Sequence, residues 1–217
     1  MTKNFFHVFI YSMKINSVTF GANPLNTVKI KKFDKKAKDF VDFPATFIKL
    51  EPYNEFDLMA VDEAAQKWKD AKFIRKIATA SHWMKEAPID IYAITAQKKK
   101  FDKLNPDEIL GFAEMRNDNS FPGFKWLYYL QVKPDAININ NTGKKIYKHV
   151  GTSIIKSLKK VYKNISLYSE NSPNIMKFYK KNGFIEDSAA ERHYLWSSNI
   201  FKRLKIHYNK KINQWGI

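Results

Sequence analysis

Asn171-Ser172-Pro173-Asn174-Ile175-Met176-Lys177-Phe178-Tyr179-Lys180-Lys181-Asn182-Gly183-Phe184 is the stretch that decides how the rest of the chain is read. Ile175, Phe178 and Tyr179 recur at helical spacing, which predicts a helix over residues 173–182 with those three on its core face. Gly183 closes it, since glycine adopts the left-handed backbone of a helix C-cap without penalty. Any capped amphipathic helix would show that much. Asn171 at the head and the order Phe-Tyr-Lys-x-x-Gly-Phe at the end are more specific.

Working backwards, residues 165–168 read as a short strand and residues 144–162 as an amphipathic helix starting near Lys148. Before them stand Leu130-Gln131-Val132-Lys133-Pro134 and then Lys148-His149-Val150-Gly151-Thr152-Ser153. A strand therefore leads through a loop into a helix whose first turn is small. Such a helix start offers unpaired N–H groups and the positive end of the macrodipole, a place for a pyrophosphate. Gly151 permits close backbone approach, Thr152 and Ser153 add hydroxyls, and Lys148 adds a cation.

Taken together, these two segments resemble the acyl-CoA-binding signature of the GNAT superfamily of N-acyltransferases. The first is similar to its Arg/Gln-x-x-Gly-x-Gly/Ala pattern after a Val-x-Pro turn, with lysine and serine at the outer positions. The second is similar to its Asn-x-x-Ala-x-x-Phe/Leu-Tyr-x-Lys-x-Gly-Phe segment, with Asn174 where alanine is usual. The connection over residues 135–147 is longer than usual. The resemblance covers residues 46–197. It implies an α/β fold: a central mixed, mostly antiparallel sheet, helices on both faces, and a splayed cleft for acyl-CoA. It further implies that Leu130 and Val132 offer backbone groups to the pantetheine. Lys148, His149, Val150, Gly151, Thr152 and Ser153 hold the pyrophosphate, and Asn171 contacts the pantetheine arm. Tyr179 becomes the general acid for the departing thiolate, since a phenol of pKa about 10 keeps its proton at neutral pH. The family often has a carboxylate at the start of the fourth strand, where this chain has Lys125-Trp126-Leu127. Glu114 on the preceding strand is the substitute base. Tyr128, Tyr129 and Gln131 line the acceptor channel or belong to the core, and His82, Trp83 and Glu86 are weaker acceptor-site candidates.

The remaining elements fit that frame. Residues 15–20 and 27–30 read as short strands around a Gly21–Pro24 turn, residues 29–38 as a solvated connection, and residues 46–50 as the first core strand. Residues 57–84 have the spacing of two consecutive helices. Strands follow at 89–95, 108–115 and 125–132, and a last pair at 184–186 and 193–197. The order is β, α-α, β-β-β, α, β, α, β-β, and strands alternating with helices argue for a sheet covered on both faces. The expected division is an N-terminal extension over 1–45, the acyltransferase domain over 46–198 and a basic tail over 199–217.

Composition limits the partners. Lysine and arginine total 38 against 21 acidic residues, a formal net charge of +17. Only Arg75, Arg116, Arg192 and Arg203 are arginines, and base-reading interfaces favour the planar guanidinium. Nucleic acid, as charged tRNA in a toxin-like reading, is therefore possible but not favoured. The resemblance implies acetyl-CoA as acyl donor and a primary-amine acceptor, with a homodimer possible; the alternative it leaves is a degenerate member that binds without turnover. No cysteine is present, which removes thiolate chemistry and suits a reducing cytoplasm. The histidines lack metal-ligand spacing, so no metal is expected. No apolar run is long enough to span a membrane.

Overall fold

The computed structural model describes residues 21–51, 54–68, 89–136, 145–187 and 190–199. The expected strand at 15–20, the second helix with His82, Trp83 and Glu86, and residues 200–217 of the tail lie outside the described residues.

β1 (Asn23–Asp34) and β2 (Asp39–Leu50) form a long antiparallel hairpin. Its turn is set by Asp34, whose carboxylate accepts from the N–H groups of Lys36 (2.7 Å) and Ala37 (3.1 Å). Residues 29–34, read from sequence as a solvated connection, are thus strand. Ile30 is buried while its neighbour Lys29 is exposed and Lys31 half-buried, as alternation across a strand requires. β2 also runs unbroken through residue 45, where the sequence suggested a boundary, and Ala45 belongs to the core.

α1 (Glu55–Lys67) begins where the Asn54 side chain accepts from Phe56 N (2.9 Å) and Asp57 N (3.3 Å), an Asx N-cap. Then come β3 (Asp90–Thr95), β4 (Ile109–Asn117), β5 (Lys125–Val132) and the two-residue β6 (Tyr147–Lys148). α2 (Val150–Val161), β7 (Asn164–Tyr168), α3 (Pro173–Lys181), β8 (Ile185–Glu186) and β9 (His193–Ser197) complete the described chain. The nine strands join in one sheet of order β6-β1-β2-β3-β4-β5-β7-β9-β8. Every neighbouring pair is antiparallel except β5 and β7, so the mixed, mostly antiparallel sheet expected from the sequence is the one observed.

Successive strand residues serve two different cores. Phe47, Tyr92 and Ile94 pack with Val150, Ile154 and Leu158 of α2 and Tyr179 of α3. Ile48, Ile91 and Ala93 pack with Ala60, Val61 and Ala64 of α1. Because neighbouring side chains on a strand point to opposite faces, α1 lies against one face and α2 with α3 against the other. Gly111 lets α2 settle on β4: a Cβ there would stand 2.9 Å from both the Gln131 carbonyl and Ile154 Cδ1.

The single parallel pair is short. β5 and β7 share only the rungs Lys125–Ile165 and Trp126–Ser166. Side chains pin this apex: Asn164 Nδ2 donates to Gly123 O (2.9 Å), and Ser166 Oγ donates to the Asp118 carboxylate. Beyond it β5 carries an irregularity, since Met115 pairs with Leu127 and Glu114 with Tyr129, leaving Tyr128 as the extra residue. A bulge bends its strand. The strands then diverge.

Asp57, at the start of α1, is fully buried and accepts from Glu51 N (3.1 Å), while its other oxygen has no partner among the described residues. Burial pushes its pKa from 3.8 up to about 6, against the pull of its backbone hydrogen bonds. Between those values the folded state binds the proton more tightly than the unfolded chain, so stability falls as pH rises from 3.8 to about 6. Thermal melts across that window should show a flatter decline for Asp57→Asn than for the parent, and parallel curves would remove Asp57 as the cause.

Candidate active site

A cavity of about 590 Å³ occupies the wedge between the diverging ends of β5 and β7. One wall is β5 from Leu127 to Val132, whose backbone groups on the β7 side have lost their partner strand. The first turn of α2, from Val150 to Thr152, forms the end of the cavity, with His149 before it. α3 supplies Asn174, Ile175, Phe178 and Tyr179, and β7 with its exit supplies Tyr168 and Glu170.

The end formed by α2 is built for an anion. Its first helical hydrogen bond runs from Ser153 N to His149 O (2.9 Å), so the N–H groups of the preceding helical residues have no partner within the helix. The first turn holds no acidic side chain. His149 adopts a left-handed backbone (φ 68°) and makes no side-chain capping bond, which leaves its imidazole on the cavity wall. Lys145 adds a second basic side chain to that wall.

Gly151 sits where three elements converge. A Cβ there would lie 3.3 Å from Phe178 Cζ and 3.6 Å from Val132 Cγ1. The glycine thus sets how closely α2, α3 and β5 approach at the cavity end.

Tyr179 is 9% exposed and packs its ring against Phe178, Phe184 and Tyr194 at centroid separations of 5.2, 5.8 and 6.2 Å. Burial, then the negative charge of Glu170, push its phenol up to about 12. It keeps its proton throughout the neutral range.

Of the residues expected from sequence, Leu130, Val132, His149, Val150, Gly151, Thr152 and Tyr179 meet on this wall. Four others do not. Lys148 is paired in β6 with Lys31, and its ammonium sits 3.6 Å from the Phe40 ring centroid. Tyr147 faces the α2 side of the sheet, so alternation sends its neighbour Lys148 to the other face; the lysine on the wall is Lys145. Ser153 donates its hydroxyl to Lys29 O (3.2 Å), tying α2 to β1. Asn171 is exposed and lies off the wall.

Glu114 also stays outside. It is 1% exposed on β4, hydrogen-bonded to Arg116 Nε, with its second oxygen buried and unpartnered among the described residues. Burial raises its pKa, and Arg116 opposes that shift. Arg116 in turn lies 3.7 Å over the Tyr128 ring, so this ion pair braces the bulge rather than the cavity. Tyr128, Tyr129 and Gln131, offered in the sequence as channel or core, do line the wall.

Lys145, Tyr168, Glu170 and Phe178 had no assigned role. Phe178 carried a signal, as part of the quoted motif. A lone glutamate after a strand and a lysine within a long connection carry none.

No family model matches the chain, and no curated protein matches its sequence. Solved structures do. A candidate acetyltransferase from Exiguobacterium sp. 255-15 is 12% identical at a TM-score of 0.47, covering 74% of this chain and 97% of that one. AtaT complexed with acetyl-methionyl-tRNAfMet is 12% identical at 0.44, covering 74% and 98%. A candidate GNAT-family acetyltransferase from Desulfovibrio desulfuricans is 11% identical at 0.40, covering 79% and 99%.

Valine at position 151 would drive branched methyl groups into Phe178 and Val132. Gly151→Val should therefore lose about 1–3 kcal/mol in denaturant unfolding. An unchanged midpoint would show that the three elements have slack here.

Proposed function

We propose that this protein transfers an acyl group, acetyl by default, from acyl-CoA to a primary amine of a small molecule, peptide or protein. The observation that carries this reading is the wedge between β5 and β7, closed at one end by the start of α2 and overlooked by Tyr179.

The residues fit such a donor. Pantetheine is an extended chain with amide groups, and the free edge of β5 between Leu127 and Val132 offers backbone donors and acceptors in strand order. The unpaired N–H groups and positive dipole end of α2, with Lys145 and His149 nearby, suit a pyrophosphate. The wall mixes many apolar and aromatic side chains with a few polar ones, as ligand cavities do. Bound there, the donor supplies a thioester, the activated form of the acyl group.

The chain's own part is positioning and proton transfer. β5 holds the arm, α2 holds the phosphates, and both act through rigid backbone. Tyr179 keeps its proton to well above neutral pH and gives it to the leaving sulfur. Its ring is held by three aromatic neighbours, which fixes where the hydroxyl points.

Acetyl-CoA should stabilise the native protein, by about 2.7 kcal/mol at a hundredfold excess over Kd. No rise in Tm at saturating acetyl-CoA would dismiss the donor site. Tyr179→Phe should lower turnover by about a hundredfold while the Tm rise persists. Equal turnover in that variant would take the acid role away from Tyr179.

A further inference from the structure

We propose that Glu170 is the group that receives the acceptor's ammonium and takes its proton, an assignment that rests on the acyl-transfer reading above. Among the described residues on the cavity wall, Glu170 is the one carboxylate. Among the described residues it forms no ion pair. Glu114, the base suggested by sequence, is buried off the wall against Arg116.

Its placement is fixed by the backbone. Glu170 O accepts from Ser172 N (2.8 Å) and from Ser169 Oγ (3.1 Å). Ser169 N donates to Arg192 O (2.9 Å), which carries the β7–β9 pairing one residue past Tyr168. Ile165 and Leu167 point into the core shared with α2 and α3, so Tyr168 and then Glu170 alternate to the opposite side. Tyr179 reaches the cavity from α3. A base and an acid thus meet the cavity from opposite sides of the sheet, which lets an amine approach one face of the thioester carbonyl while Tyr179 attends the sulfur. After burial, the negative charge of Glu170 is the second cause that holds the Tyr179 phenol protonated.

The proton balance closes. Glu170 takes one proton from the ammonium and releases it to solvent. The freed nitrogen lone pair forms the C–N bond as the C–S bond breaks. Tyr179 gives its proton to the sulfur, and one of the two protons still on the nitrogen replaces it, leaving the amide N–H.

The other titratable side chains on the wall are Lys145, His149, Tyr128, Tyr129, Tyr168 and Tyr179. Of these, His149 is the competing base, and it sits at the α2 end. The test measures transfer of labelled acetyl from acetyl-CoA into a lysate of the source cell, with intact protein, for the parent, Glu170→Gln and His149→Gln. Glu170→Gln should lose about a hundredfold at neutral pH. The loss should shrink as pH rises towards about 10, where a primary amine sheds its own proton. A merely structural role would not give that recovery. The rise in Tm with acetyl-CoA should match the parent's. Full transfer by Glu170→Gln, a loss independent of pH, or a pH-recoverable loss confined to His149→Gln would each overturn the assignment. A parent that is stabilised by acetyl-CoA yet labels nothing would also overturn it, leaving the donor site standing. A parent without stabilisation would bring down the donor site as well.

Discussion

A parallel strand pair that stops after two rungs governs the rest of the molecule. Antiparallel pairing joins seven of the eight neighbouring strand pairs, and it leaves few backbone groups without partners. β5 and β7 are different. The extra residue Tyr128 and the pinned apex at Trp126 and Ser166 make them part company while both are still extended. Unpaired main-chain groups in the middle of a protein are costly unless something pairs with them. The wedge therefore leaves a run of extended β5 backbone facing the cavity rather than a strand. The helices complete it from one side, because α2 and α3 pack over the same face.

The parts of this arrangement that depend on neighbours in sequence could be read directly. The helix from Pro173, its closure at Gly183, the strand before Pro134 and the glycine in the first turn of α2 are all local patterns. The fold class came from the family resemblance that two of these segments carry, and the order of the elements agrees with it. What could not be read depends on pairing between distant segments. β6 takes two residues from a connecting segment and lays them on β1, and that alone turns Lys148 away while Lys145 stays on the wall. The hairpin of β1 and β2 was seen only in fragments, since its lysines masked a strand of which Ile30 is the one buried residue. Glu114 looked like a free strand carboxylate, although Arg116, two residues on, shares its face of the strand and pairs with it. Glu170 was passed over for the opposite reason. It lies at a strand exit, where composition alone never distinguishes a working side chain from a solvated one.

Lysine excess leaves its own mark on the packing. With 38 basic and 21 acidic residues, carboxylates run short, and several ammonium groups rest on rings. Lys148 sits over Phe40, Lys32 over Phe43 and Tyr147, and Lys159 between Phe184 and Trp196. Such contacts are each worth about 0.5–1 kcal/mol at exposed sites. They let the stems of long cationic side chains cover apolar surface while the charged ends remain near water.

The pinned apex has a mechanical consequence. From Trp126 to Val132 the β7-facing edge of β5 runs for about 20 Å, its other edge laddered to β4 throughout, so the two strands move as one arm. A rotation of about 5° at the fulcrum would swing its far end by nearly 2 Å, on the order of the misplacement that costs a hundredfold in rate. The width of the cavity is thus governed from outside it, by Asp118 on Ser166 and Asn164 on Gly123. Drift in the 118–124 turn would be transmitted, magnified, to the far end of the cavity.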